Sequence, residues 1–171
     1  MCGIAGIMTT SGENPNIILL ELLSEALAHR GPDGIRQAVS NGVGLAHSRL
    51  SIIDLEGGDQ PFYASNLASD EKTSLIANGE IYNYVELKLE MSRVEFQTRS
   101  DCETPLHLYL RHGLKFARYL RGMYAIAIHD PIKDCLVLAR DPFGIKPLYY
   151  AETELGFIFA SEPQALFHAN L

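Results

Sequence analysis

Apolar positions open the chain. From Gly3 to Met8 small and branched apolar residues alternate, which predicts a fully buried strand over residues 2–8. After a turn at Asn14 to Asn16, Ile18, Leu19, Leu22, Leu23, Ala26 and Leu27 recur at intervals of three and four. That spacing predicts a helix reaching His29. The segment His29-Arg30-Gly31-Pro32-Asp33-Gly34 is dense in backbone-restricting residues and reads as a shaped loop. Strands are expected at 37–40 and 43–47, a loop-rich stretch over 54–72, and a strand at 74–77 that feeds a turn at Asn78-Gly79. Residues 82–91 are amphipathic and helical in pattern. A further helix starts at Ser100 or Asp101 as N-cap and ends near His112, with Gly113 as its stop. Strands at 123–129, 135–139, 147–150 and 156–160 follow, with a last short helix from Glu162. Strands dominate and no internal repeat or linker interrupts them. The pattern predicts a layered α+β domain, two packed sheets covered by helices.

Composition narrows the partners. A chain of 171 residues, 47% apolar and 20% charged, suits one globular domain with a substantial core. Fourteen Lys and Arg stand against 21 Asp and Glu, giving a net charge of −7, the wrong sign for a binder of phosphate backbones. No nucleic-acid partner is expected. No apolar run is long enough to span a bilayer and the N-terminus lacks a signal-type basic region, so no membrane partner is expected either. Three cysteines, an odd number without a secretory signal, favour a reduced, cytoplasmic setting. Cys102 and Cys135 fall within apolar patterns and read as small core residues. His107 and His112 are five apart and share no helical face, so no metal site is expected. The Gly42 and Gly44 pair lacks the third glycine of a dinucleotide fingerprint, and no phosphate-loop pattern occurs; no cofactor is expected in this domain.

The candidate chemistry begins at Cys2. If Met1 is removed, Cys2 carries a free α-amino group, which titrates at about 7.7–8 and is partly a neutral base near pH 7. It then lies beside the side chain that is intrinsically nucleophilic at that pH, so thiol and base share one residue. Attack on an amide would need oxyanion donors. Asn78-Gly79 offers a side-chain amide beside a glycine N–H, although Asn-Gly is also the commonest two-residue hairpin turn. Arg49 precedes the apolar run Leu50-Ser51-Ile52-Ile53, and its planar fork suits either an internal carboxylate or an external one. Asp101 could receive an ammonium group or simply cap a helix. Arg30 and Asp33 could pair within their loop, and Arg140 and Asp141 read as structural braces.

In order along the chain stand MCGIAGI, HRGPDG, LAHSRLSIIDL with GDQPF, ANGEIYNY, SDCE, LRGMYAIAIHD, ARDPFGIKPLYY and FASE. Taken in register, these segments identify the chain as resembling the glutaminase domain of class II glutamine amidotransferases, of the asparagine synthetase type. The resemblance covers residues 1–171 and implies a four-layer αββα N-terminal nucleophile fold. It implies that Cys2 attacks the side-chain amide of L-glutamine, forms a γ-glutamyl thioester and releases ammonia, its own amino group moving the proton. Asn78 and Gly79 would form the oxyanion hole. Arg49, with backbone groups of Leu50, Ser51, Ile52 and Ile53, would hold the α-carboxylate, and Glu80 and Asp101 the α-amino group. The ATP-using synthetase domain of full asparagine synthetases, with its SGG-type loop, has no counterpart in these residues. The implied partner is that domain, in cis or in trans, where ATP and magnesium would act and aspartate would accept the ammonia; a homodimer is left open. The alternatives are a related amidotransferase with a sugar or peptide acceptor, or a catalytically silent interface module.

Overall fold

The computed structural model describes residues 1–65 and 71–169; the part of the expected loop at 66–70 lies outside the described residues. The elements run β1 (Gly3–Thr9), α1 (Ile17–Ala26), β2 (Gly34–Ser40), β3 (Val43–Arg49), β4 (Phe62–Ser65) and β5 (Lys72–Ile81). They continue with α2 (Tyr84–Glu90), α3 (Thr104–His112), β6 (Gly122–Asp130), β7 (Cys135–Arg140), β8 (Tyr149–Thr153), β9 (Gly156–Ala160) and α4 (Pro163–His168). Short 3₁₀ turns lie at 28–30, 101–103 and 113–119.

Two antiparallel sheets result, one in the order β2-β3-β1-β9-β8 and the other β4-β5-β6-β7. The strand period of two sorts their residues between faces. Ile4, Val43, Leu45 and Phe159 of the first sheet meet Ile76, Ala125 and Ala127 of the second in an inter-sheet core. On the outer face of the first sheet, Ala5, Ile7 and Ala46 pack against Leu20, Leu23 and Leu27 after α1 begins, and against Ala165 and Leu166 of α4. On the outer face of the second, Leu75, Ala77, Ile126 and Ile128 pack against Leu87 of α2 and Leu106 and Tyr109 of α3. The layers are therefore α, β, β, α. Helix α1 starts where Asn16 Oδ1 accepts the Ile18 N–H at 3.0 Å, an N-cap directly after Pro15.

Several local expectations change. Helix α1 stops at Ala26 and tightens into a 3₁₀ turn, whereas β2 and β3 are each longer than the apolar pattern suggested. The loop-rich stretch contains β4, whose residues alternate buried and exposed against β5; four residues among so many Gly, Asp and Ser carry too little pattern to read. Strand β8 begins at Tyr149, two residues beyond the expected start. The Asn78-Gly79 turn does not exist. Strand β5 runs straight through it, with Asn78 opposite Ala125 and Gly79 opposite Tyr124. A Cβ at Gly79 would meet the Met123 carbonyl oxygen at 2.4 Å and Tyr124 Cα at 2.7 Å, so this glycine serves a close approach of β6.

Candidate active site

Cys2 stands immediately before β1. By alternation it shares the inter-sheet face with Ile4, at the open end of the sandwich. Its sulfur is bracketed by one residue: the Leu50 N–H donates to Sγ at 3.3 Å, and the thiol lies 3.5 Å from the Leu50 carbonyl oxygen. Met1 is 56% exposed, its thioether resting near Lys146 Nζ, and it belongs to none of the hydrophobic cores. Removing it would leave the packing of Cys2 intact.

The loop at 29–34 holds this corner. Gly31 passes so near β3 that a Cβ there would lie 2.2 Å from the Ser48 carbonyl carbon. Asp33 donates its N–H to the Arg49 carbonyl and accepts the Ser51 N–H at 2.6 Å. The expected Arg30–Asp33 pair is absent. Arg30 instead donates Nε–H to the Cys2 carbonyl at 3.0 Å and pairs with Glu162, 132 residues away, a connection no local pattern announces.

Around Cys2 lies a cavity of about 80 Å³. It brings together Cys2, Arg49, Leu50, Ile52, Ile53, Gly79, Glu80 and Asp101, eight of the residues singled out in the sequence, with His47, Gln60 and Cys102 added. Ser51 is outside it, its N–H committed to Asp33, and Asn78 is not among its lining residues. A larger hollow of about 870 Å³ lies against Ala64, Met91 and Leu110 and touches none of these groups. Size does not locate the chemistry here.

Asp101 is no helix cap. Ser100 caps the turn by accepting the Cys102 N–H, while the Asp101 carboxylate, 3% exposed, accepts the Ile81 N–H at 2.7 Å. Its segment is clasped from behind. Glu103 accepts the N–H groups of Gln97 and Thr98 at 2.8 and 2.7 Å and lies 3.1 Å from His107 Nε2. Burial would raise the Glu103 pKa, but these hydrogen bonds outweigh it and bring it down to about 2. Lys88 adds bonds to the Thr98 and Ser100 carbonyls.

Strand alternation places donors as well. Gln60 uses its side-chain amide to bond both the N–H and the carbonyl of Ala77, and Asp101 takes the Ile81 N–H, on the edge of β5 that faces away from β6. Gly79 lies between them, so its N–H points from the same edge. Asn78 turns its side chain to the inter-sheet face, as Ile76 does. Its Nδ2 is buried without a partner. Of six such buried unpartnered side-chain atoms among the described residues, four belong to Arg30, His47 and Asn78. Each costs about 1–3 kcal/mol unless something supplies a partner; of these residues His47 lines the Cys2 cavity and Arg30 bonds the Cys2 carbonyl.

Arg49 is only 8% exposed, and the sequence left its carboxylate open. It is internal here: Nη1 donates to Asp59 Oδ1 at 2.8 Å and to the Leu55 carbonyl, and Nη2 to the Asp54 carbonyl. Asp59 also takes Arg36, and these bonds outweigh the upward pull of its partial burial to lower its pKa. Cys102 is pushed well above the ordinary thiol range by burial and by the neighbouring Asp101 charge, so it is not a second nucleophile. Cys135 is half-buried beside the Tyr109 hydroxyl. Arg140 and Asp141 are braces, Asp141 gathering the N–H groups of Tyr124, Phe143, Ile145 and Lys146.

His47 carried no signal in the sequence beyond standing alone. It is 1% exposed, shares the Arg49 face of β3, and neither ring nitrogen makes a hydrogen bond. Burial, and then the Arg49 charge, lower its pKa to about 4; the Asp59 carboxylate and the Ala77 backbone, outside hydrogen-bond geometry, oppose this without reversing it. In the unfolded chain it would titrate near 6.5, so between about pH 6.5 and 4 the unfolded state binds the extra proton. Stability is then lost as pH falls through that window, on the order of 3 kcal/mol from this group. His129, whose pKa burial also lowers, acts in the same direction. Urea unfolding at pH 6.5 and 4.5 is expected to show the loss, and His47→Leu to flatten it; an unchanged slope in the variant would remove His47 as its source.

Comparison with known proteins adds a family and a fold. The glutamine amidotransferase domain family matches residues 1–171. Over 170 residues the chain is 43% identical to asparagine synthetase [glutamine-hydrolyzing] 2 of Bacillus subtilis, covering 98% of this chain and 22% of that protein. It is 42% identical to asparagine synthetase B [glutamine-hydrolyzing] of Escherichia coli, covering 97% of this chain and 30% of the relative. The chain thus spans less than a third of the length of these curated relatives. Among solved structures, glutamine phosphoribosylpyrophosphate amidotransferase from B. subtilis superposes with a TM-score of 0.80 at 22% identity, over 99% of this chain and 44% of that one. The shared architecture is the αββα N-terminal nucleophile fold.

Proposed function

The chain belongs to the glutamine amidotransferase domain family, and from that membership we propose that it hydrolyses L-glutamine through Cys2 as the glutaminase half of an asparagine synthetase-type enzyme. One observation carries the reading. The Cys2 sulfur, bracketed by the Leu50 backbone, heads a cavity that also holds a cation, a buried carboxylate and an outward-pointing glycine N–H.

With Met1 removed, the Cys2 amine takes the thiol proton and the sulfur attacks the γ-carboxamide carbon. In this reading the oxyanion that forms is met by the Gly79 N–H, which lines the cavity, and by Asn78 Nδ2 from the neighbouring position of β5, a donor without a partner in the resting protein. Collapse of the tetrahedral intermediate breaks the C–N bond; the amine returns the proton to the departing nitrogen and ammonia leaves. Water then cleaves the thioester to glutamate. Asp101, with Glu80 at the exposed rim, meets the substrate's ammonium group. Arg49, beside the Leu50 to Ile53 backbone, meets the α-carboxylate, which takes over the place Asp59 holds on its fork. This exchange of one carboxylate for another needs no new cation.

The ammonia passes to an ATP-activated acceptor, aspartate in this reading, on a synthetase part supplied in cis or in trans, where ATP and magnesium would act. The extra length of the relatives and their names support that assignment. Among the described residues no helix is long and apolar enough to cross a membrane, and the three cysteines are free; we place the protein in the cytoplasm. The test is direct. Protein from native expression is expected to have the intact mass of a chain starting at Cys2, to release ammonia from glutamine, and to be labelled at Cys2 by a glutamine-like electrophile. Retention of Met1, with no ammonia released, would leave the silent interface module as the better account.

A further inference from the structure

Of the polar side chains on the cavity wall that the proposed chemistry leaves unused, Gln60 is bonded to Ala77 and Ser100 to the Cys102 N–H, whereas His47 makes no hydrogen bond. In register with β1 this residue lies opposite Ile4, two residues along the strand from Cys2. The inter-sheet core that this face joins includes Ile4, Leu45 and Ile76, all 2% exposed or less. Neither nitrogen makes a hydrogen bond; the Ala77 backbone lies against the ring and can serve at most one of them, so the other is left to the cavity it shares with Cys2. The cavity, about 80 Å³, has room for water at that depth.

We infer that His47 seats the water that hydrolyses the γ-glutamyl thioester, as a positioning residue for the second half of the reaction. This rests on the thioester reading above. After ammonia has left, the acyl group still fills the substrate side, with its charged end held by Arg49 and Asp101. The polar lining left without a hydrogen-bond commitment is the His47 imidazole. A neutral ring has one acceptor nitrogen and one donor. The acceptor takes a hydrogen of the water, leaving an oxygen lone pair for the thioester carbon. The water oxygen bonds that carbon, one proton passes to the Cys2 amine, the C–S bond breaks, and the sulfur recovers the proton as thiol. Glutamic acid leaves and ionises. The ring stays neutral throughout, as its burial beside Arg49 requires.

The inference is tested by comparing first-turnover and steady-state rates with acid-quenched intact mass. In His47→Leu the first ammonia release is expected near the parent rate, steady-state turnover to fall roughly 10- to 100-fold, the size of a misplaced reactant, and the acyl-enzyme to accumulate. Added hydroxylamine, a small nucleophile that needs no seat, is expected to restore turnover. His47→Asn should show a smaller accumulation of the same kind, and decides the matter if the leucine variant does not fold. Equal losses in both phases, a KM effect alone, or no change in either overturns the inference. Absence of any acyl-enzyme in the parent protein, before and after quenching, would instead sink the thioester reading beneath it.

Discussion

Cys2→Ala is expected to reduce ammonia release from glutamine by roughly 10⁴-fold or more, the scale on which loss of a covalent nucleophile is felt. In the proposed reaction the sulfur splits amide hydrolysis into two easier steps, and neither of the other thiols is placed to replace it. Cys102 lines the same cavity but is buried beside Asp101, with its pKa pushed up. Cys135 lies beyond Tyr109 at the start of β7. The variant should fold as the parent does, because Cys2 is only partly buried and precedes β1. The measurement is ammonia release with electrophile labelling in parallel. Labelling should vanish in Cys2→Ala and persist in Cys135→Ala. Residual turnover within tenfold of the parent would mean that the reaction runs through another group.

Asn78→Ala is expected to lower kcat by roughly 10²–10³ with little change in KM, as for the loss of one oxyanion donor. What separates this site from an ordinary buried asparagine is its energetic balance in the resting protein. Nδ2 has no partner in the folded chain, so truncation sacrifices no hydrogen bond of that nitrogen and relieves an unpaired donor. A merely structural asparagine would do the reverse, losing stability and leaving turnover per folded molecule intact. Thermal unfolding measured beside kcat distinguishes the two. Unchanged kcat in a destabilised variant would remove Asn78 from the oxyanion hole.

The Asn78-Gly79 pair also shows where local reading stops. As a dipeptide it is a hairpin turn, and short-range preference favours that conformation. It becomes strand because β6 pairs alongside through eight registered positions, from Ser74 with His129 to Ile81 with Gly122. Pairing that extensive overrides the preference of two residues. Asp101 is a similar case. A carboxylate at the start of a helical pattern reads as a cap, yet its oxygen reaches Ile81, 20 residues back, and Ser100 does the capping. By contrast, the buried opening strand and the stop at Gly113 were legible, because a run of small and branched apolar residues and a capping glycine are local properties; the α1 face was legible in part, with Leu23 and Leu27 buried as expected but Leu20 buried in place of Ile18, which is 57% exposed.

The amino-acid order singled out Cys2 and the two-sheet α+β class through residue type and near-neighbour spacing, and through its resemblance to the amidotransferase family it pointed to most residues that line the cavity. Tertiary structure alone decided that Arg49 rests on Asp59, that Arg30 spans to Glu162, and that a solitary His47, its ring nitrogens without a hydrogen bond, lines the same cavity as Cys2. A buried polar side chain's partner is set by which strands come to lie side by side, and pairing between distant segments leaves no trace in the spacing of either one.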